Sequence, residues 1–184
     1  MKKNILKILL ILLSMSVVSA YANNLDSYKK SCDNGDGSKC VEVAMKYYDV
    51  KDYSFAVMYL LQGCANSDGN SCHLLGLMQM NGQGIPQNDT EAMESFVQAC
   101  DYHSGAGCYA VGNSLLRGIG VKKDYIKSLG YFEVACDYGD ARGCHQAGVI
   151  RKLNKHYTQA AQLFRKACDG GDRDGCNEYR KMNR

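Results

Sequence analysis

Ten cysteines divide this 184-residue chain into a ruler. They stand at positions 32, 40, 64, 72, 100, 108, 136, 144, 168 and 176, so every consecutive pair is eight residues apart. Successive pairs step by 32, 36, 36 and 32 residues. Self-similarity at a fixed period of this size is the signature of a solenoid, in which each repeat contacts only its neighbours.

The flanking residues repeat in register. Four positions before the first cysteine of each later pair stands a large apolar residue: Leu60, Phe96, Phe132 or Phe164. Eight before it stands a small one: Ala56, Ala92, Ser128 or Ala160. Four after the second cysteine of the first four pairs stand Ala44, Gly76, Gly112 and Gly148. Steps of four mark one face of a helix. The residues before each pair therefore read as one helix (B) and those after it as another (A). The small positions allow two helix backbones to approach closely.

The stretches between paired cysteines, Asp33–Lys39, Ala65–Ser71, Asp101–Gly107, Asp137–Gly143 and Asp169–Gly175, are rich in Gly, Asp, Asn and Ser and read as turns. Geometry agrees. Eight residues of unbroken helix would hold the cysteines about 12 Å apart, whereas a disulfide needs Cα atoms within roughly 7 Å. A turn brings the end of helix B beside the start of the next helix A. Ten cysteines allow many connectivities; the spacing favours the local set Cys32–Cys40, Cys64–Cys72, Cys100–Cys108, Cys136–Cys144 and Cys168–Cys176. A closed loop of about nine residues contributes about 2.5 kcal/mol in the chain-entropy model.

Helix B has start signals at Asp52, Asn88, Asp124 and His156, and Asn88 with Glu91 has the shape of a capping box. The longer repeats insert Gly82–Ile85 and Gly118–Val121 between helices A and B, which accounts for the 36-residue steps. The expected architecture is all-α: an α/α superhelical solenoid of four full hairpins, near residues 38–69, 70–105, 106–141 and 142–173, with half-repeats at 23–37 and 174–184.

Before the first repeat, Lys2, Lys3 and Lys7 lead into an apolar run over Ile5–Val18 and then Ala20-Tyr21-Ala22. That is the grammar of a secretory signal peptide over residues 1–22, cut after Ala22, with a retained anchor as the alternative. It places the remainder, residues 23–184, outside the cytoplasm, periplasmic or secreted, with no membrane span after cleavage. Export also supplies the oxidising compartment that disulfides require. Removing residues 1–22 takes three of the 22 Lys+Arg and none of the 19 Asp+Glu, leaving no formal charge. A nucleic-acid partner needs a basic face, and no basic cluster is present after residue 22.

Gly107 to Gly143 resembles a Sel-one-like repeat, a relative of the tetratricopeptide repeat. Ala110, Gly112, the Gly118–Val121 turn, Lys123-Asp124, Phe132, Ala135 and Gly139 carry the likeness. Cysteine pairs eight apart in every repeat, behind a signal peptide, are similar to the Helicobacter cysteine-rich proteins. That resemblance implies a secreted or periplasmic protein that binds penicillin and hydrolyses β-lactams weakly, a β-lactamase by class. No cofactor is expected.

The residues themselves show little of that chemistry. A serine β-lactamase needs Ser with Lys three residues on, a Ser-Asp-Asn and a Lys-Thr-Gly. Ser27 with Lys30 matches the first, Ser67-Asp68-Gly69 approximates the second, and no Lys-Thr-Gly exists. The cysteine spacing fits neither zinc ligation nor a Cys-x-x-Cys redox motif, so no metal is expected. His73 and His145 share one repeat position, which marks repeat grammar rather than a ligand set. The Gly-x-Gly turns follow no strand and are not dinucleotide loops.

Helices A line the concave face of related superhelices. The candidate binding residues there are Asn113, Ser114 and Arg117 in the third hairpin and Arg151 in the fourth, since Arg can hold a carboxylate in a bidentate grip. The ligand would be a β-lactam or peptidoglycan-like molecule. On the alternative reading, a non-enzymatic scaffold, it would be a peptide, protein or cell-envelope partner.

Overall fold

A computed structural model of the chain describes residues 24–183; the signal-peptide reading falls on residues outside that range. The described residues form ten α-helices and no strand. The first, α1, spans 24–33. It is followed by α2 (Gly37–Asp49), α3 (Tyr53–Ala65), α4 (Gly69–Asn81), α5 (Asp89–Asp101) and α6 (Gly105–Arg117). Then come α7 (Tyr125–Asp137), α8 (Ala141–Leu153), α9 (Tyr157–Asp169) and α10 (Arg173–Met182). Even-numbered helices are the A helices and odd-numbered ones the B helices. Four hairpins stand between the two unpaired end helices, which is the solenoid that the cysteine period predicts.

Capping residues set the helix boundaries. Asp52, Asn88 and Asp124 accept backbone N–H bonds from the first turns of α3, α5 and α7. His156 occupies the cap of α9 without a side-chain bond. Asn88 and Glu91 close differently from a reciprocal capping box. The Asn88 backbone N–H already donates to the Gln79 carbonyl (3.0 Å). Glu91 therefore accepts from the Asn88 side-chain amide (2.8 Å) instead. The A helices are capped by Asp36, Asp68, Ser104, Asp140 and Asp172.

The turns between paired cysteines are shorter than their composition suggests. Helix B runs one residue past its cysteine, and helix A begins three residues before the next one. Only three residues remain between them, as in Asn66-Ser67-Asp68. The glycines at these helix starts are there for packing. A Cβ on Gly69 would stand 2.9 Å from the Tyr102 carbonyl oxygen, and one on Gly105 would stand 3.1 Å from Asp140 Cβ. Helices α2, α4 and α6 thus start flush against the following turn.

Five cysteine pairs, each eight residues apart, sit at disulfide-bond distance with Cα atoms 4.4–4.8 Å apart. They join the end of each B helix to the start of the next A helix.

Within a hairpin the core is a ring on a glycine. Phe96, Phe132 and Phe164 are fully buried. They cover Gly76, Gly112 and Gly148, where a Cβ would stand 2.6–2.8 Å from the ring carbons. The first hairpin uses Ala44 with Leu60 instead, both buried. Ser128 is also fully buried and donates its hydroxyl to the Gly112 carbonyl (2.7 Å). His73, Tyr109 and His145, one after the second cysteine, each lay a ring against the phenylalanine of their own hairpin, with centroids 5.6–5.8 Å apart.

Candidate functional site

The hairpins curve because their two helix rows pack unequally. Successive A helices touch, α2 with α4, α4 with α6, α6 with α8 and α8 with α10, while among α3, α5, α7 and α9 no successive B helices make comparable contact. The tighter row forms the inside of the curve. The A helices therefore supply the inner surface, where the sequence placed its candidate site.

The four candidate residues do not converge on one another. Ser114 is buried at 3% exposure, so its hydroxyl is withdrawn from the surface. Its carbonyl accepts from Gly118 N–H (2.7 Å) and Ile119 N–H (3.1 Å), closing the end of α6. Arg151 is engaged within the chain: its Nε and terminal nitrogen both donate to one Glu133 oxygen, at 2.8 and 2.6 Å. Asn113 is half-buried and Arg117, in the last turn of α6, is exposed. These two remain open to a ligand.

The β-lactamase-like fragments have local structural explanations. Ser27 and Lys30 lie on α1. In Ser67-Asp68-Gly69, Ser67 occupies the turn's left-handed position with φ 61°. Asp68 caps α4, accepting from the Ser71 N–H and hydroxyl, both at 2.7 Å. Among the described residues, no three His, Cys, Asp or Glu side chains cluster as metal ligands would. No described helix is long and apolar enough to cross a membrane.

Two depressions open at junctions between A helices, and composition gave no signal for either. The first, about 250 Å³, lies between α2, α3 and α4. Ala44, Ala56 and Leu60 form its floor, and Met45, Tyr48, Leu77, Asn81 and Gln83 surround it. Gln83 donates to the Tyr48 hydroxyl at 3.3 Å across its rim. The second, about 660 Å³ and more open, lies between α8 and α10 and the loop before α9. Lys152, Lys155 and Lys181 face Asp174 and Glu178 around it. Lys152 and Lys181 each donate to Glu178, at 2.6 and 2.7 Å. Those bonds hold the Glu178 carboxyl down at about 2, and α10 is tied to α8 through the Lys152 bond.

The Asn113 position on α6 corresponds to Met45 on α2, Leu77 on α4, Val149 on α8 and Lys181 on α10, each five residues beyond the second cysteine. Read along the inner surface, that position runs from apolar through polar and apolar to basic.

Comparison with known proteins agrees with this architecture. Sel1 repeats match at residues 44–68, 69–101, 105–140 and 142–172. A Sel1 repeat protein of Oxalobacter formigenes superposes with TM-score 0.70 at 20% identity, over 76% of this chain and 57% of that one. The protective antigen c5321 of uropathogenic Escherichia coli, which displays an SLR fold, gives 0.66 at 18% identity over 86% and 43%. Cysteine-rich protein B of Helicobacter pylori gives 0.56 at 24% identity over 67% and 91%. The chain thus spans about half the length of the first two structures. No curated protein matches the sequence. With four matched repeats covering most of the described helices, the chain belongs to the Sel1 repeat family.

Proposed function

We propose that this protein is a non-catalytic binding scaffold of the extracytoplasmic space, holding a peptide or protein segment along the inner row of A helices. The observation that carries the reading is the unbroken A-helix row, with depressions at both ends and Asn113 and Arg117 open between them. An extended segment laid along such a row meets apolar, polar and basic positions in turn. Five disulfide-spaced cysteine pairs support an oxidising compartment, since such bonds persist where thiols are not kept reduced. The basic, then apolar, then small-residue sequence of residues 1–22 supports export, followed by release into the periplasm or the medium.

The β-lactam reading draws on family likeness to the cysteine-rich proteins, and the arrangement of side chains adds nothing to it. Arg151 is neutralised by Glu133, and Ser114 is buried.

The test is a random peptide library selected against the oxidised protein. Enriched peptides are expected to share a pattern of side-chain spacing. They should lose affinity for Arg117→Glu, on the inner row, and keep it for Glu94→Lys, on the exposed side of α5. Peptides equally indifferent to both changes would refute the scaffold reading. In parallel, a chromogenic cephalosporin is expected to show no turnover above a reduced, unfolded control.

A further inference from the structure

We propose that the cavity between α2, α3 and α4 receives one aromatic side chain of the bound peptide, which makes the first hairpin the anchoring end of the scaffold. The proposal deepens the scaffold reading and rests on it. Its argument comes from the repeat itself. In three hairpins a phenylalanine lies on a glycine of the preceding A helix, and the ring is fully buried: Phe96 on Gly76, Phe132 on Gly112 and Phe164 on Gly148. The first hairpin has Leu60 and Ala44 at those two places. The exchange roughly conserves volume but not shape. A methyl is added on helix A, while the flat end of a ring is removed from helix B.

The cavity lies over the substituted pair: Leu60, Ala44 and the small Ala56 are its floor. At about 250 Å³ it falls below the usual range for drug-sized ligands, roughly 300–1,000 Å³. It exceeds the roughly 150 Å³ apolar cavity known to take benzene. One aromatic side chain is the occupant of matching size. The walls suit a ring as well. Met78 is nearly buried, Met45 stands 40% exposed at the mouth, and both are in the lining; thioethers make favourable contacts with ring edges. Tyr48 adds a ring face. Asn81 and Gln83 place amides at the rim, where the backbone of a bound peptide needs hydrogen-bond partners.

The experiment titrates N-acetyl-phenylalanine amide into isotopically labelled, oxidised protein and follows the backbone resonances of Tyr48, Leu77 and Asn81. Saturable shifts at millimolar probe are expected, at least fivefold weaker with the leucine amide and absent with the alanine amide. The decisive variant, A44G/L60F, rebuilds the glycine–phenylalanine pair that the other hairpins use. It should weaken probe binding at least tenfold without lowering Tm. Met45→Glu, at the exposed mouth, gives the same loss by an independent route if the double variant folds poorly. Absence of shifts in the wild type, equal binding of the leucine amide, or undiminished binding by both variants would overturn the proposal. Failure of the scaffold reading looks different: the single-residue probe would bind while no library peptide did.

Discussion

Gly112 lies directly beneath the Phe132 ring, so close that a Cβ at residue 112 would stand 2.7 Å from Cδ1. The two residues are 20 positions apart in sequence and are the clearest expression of the repeat in three dimensions. Gly112→Ala is therefore expected to destabilise, although alanine is the better helix former by about 1 kcal/mol. Overpacking a closed core costs about 1–3 kcal/mol, so the balance falls against alanine. Adding Phe132→Leu should recover part of the loss, because it reproduces the Ala44/Leu60 pair of the first hairpin. Chemical unfolding of the two single variants and the double variant should show non-additivity of at least 0.5 kcal/mol, the scale typical of residues in contact.

Two glycine-dependent turns are expected to differ in their tolerance. Gly120 has φ 66°, and an added Cβ would run into the Asp89 carbonyl of α5. Gly139 has φ 85° with open space around the same atom. Gly139→Ala should cost only the backbone conformational penalty, about 1 kcal/mol. Gly120→Ala should cost distinctly more, because the loop must move off α5. Ser67 occupies the position of Gly139 in an earlier turn, with φ 61°. Ser67→Gly is correspondingly expected to raise stability by about 0.5–1 kcal/mol. Thermal melts of the three variants check the order.

Burial of His73, together with the positive charge of Arg142, lowers its pKa from the usual 6.5. The unfolded chain then takes up a proton at His73 more readily than the native one. Stability from this group is complete above about pH 6.5 and is lost as pH falls from there toward the depressed native value. His73→Tyr places at this position the residue found in the next repeat, Tyr109, and removes the titration. The variant should show a flatter decline in Tm between pH 7 and 5. An unchanged slope would remove His73 from the acid response.

The cysteine pairs should differ in importance by place. Replacing Cys100 and Cys108 with Ala removes the clamp between α5 and α6 in the middle of the array; about 2–4 kcal/mol of stability should go with it. Losing Cys168 and Cys176 frees only α10, whose one buried residue is Gly175, and should mainly increase fraying at that end. Amide hydrogen exchange separates a global effect from a local one. Peptide mapping of the unreduced protein is expected to find each cysteine linked to its neighbour eight residues away.

The period, the helix alternation and the pairing of large with small residues were legible because a solenoid uses only local contacts. Each rule is enforced within one hairpin or at one junction, so it reappears in the next as a repeated letter. The caps at Asp52, Asn88 and Asp124 were readable for the same reason. Glycine was misleading at Gly69 and Gly105: it reads as a breaker, but there it opens a helix that must start flush against the next turn.

The sequence by itself determined the all-α array, its number of hairpins and the large and small residues that meet inside each hairpin, since those follow from spacing alone. Only the tertiary structure decided which polar groups stay available. Arg151 looked free in the sequence until Glu133, on the neighbouring α7, was found holding both of its donors. Ser114 looked polar and accessible until α6 turned it inward. The apolar cavity at Leu60 was likewise invisible, because a hole depends on the shapes of side chains that three different helices bring together, and no one-dimensional period records the shape of what is missing.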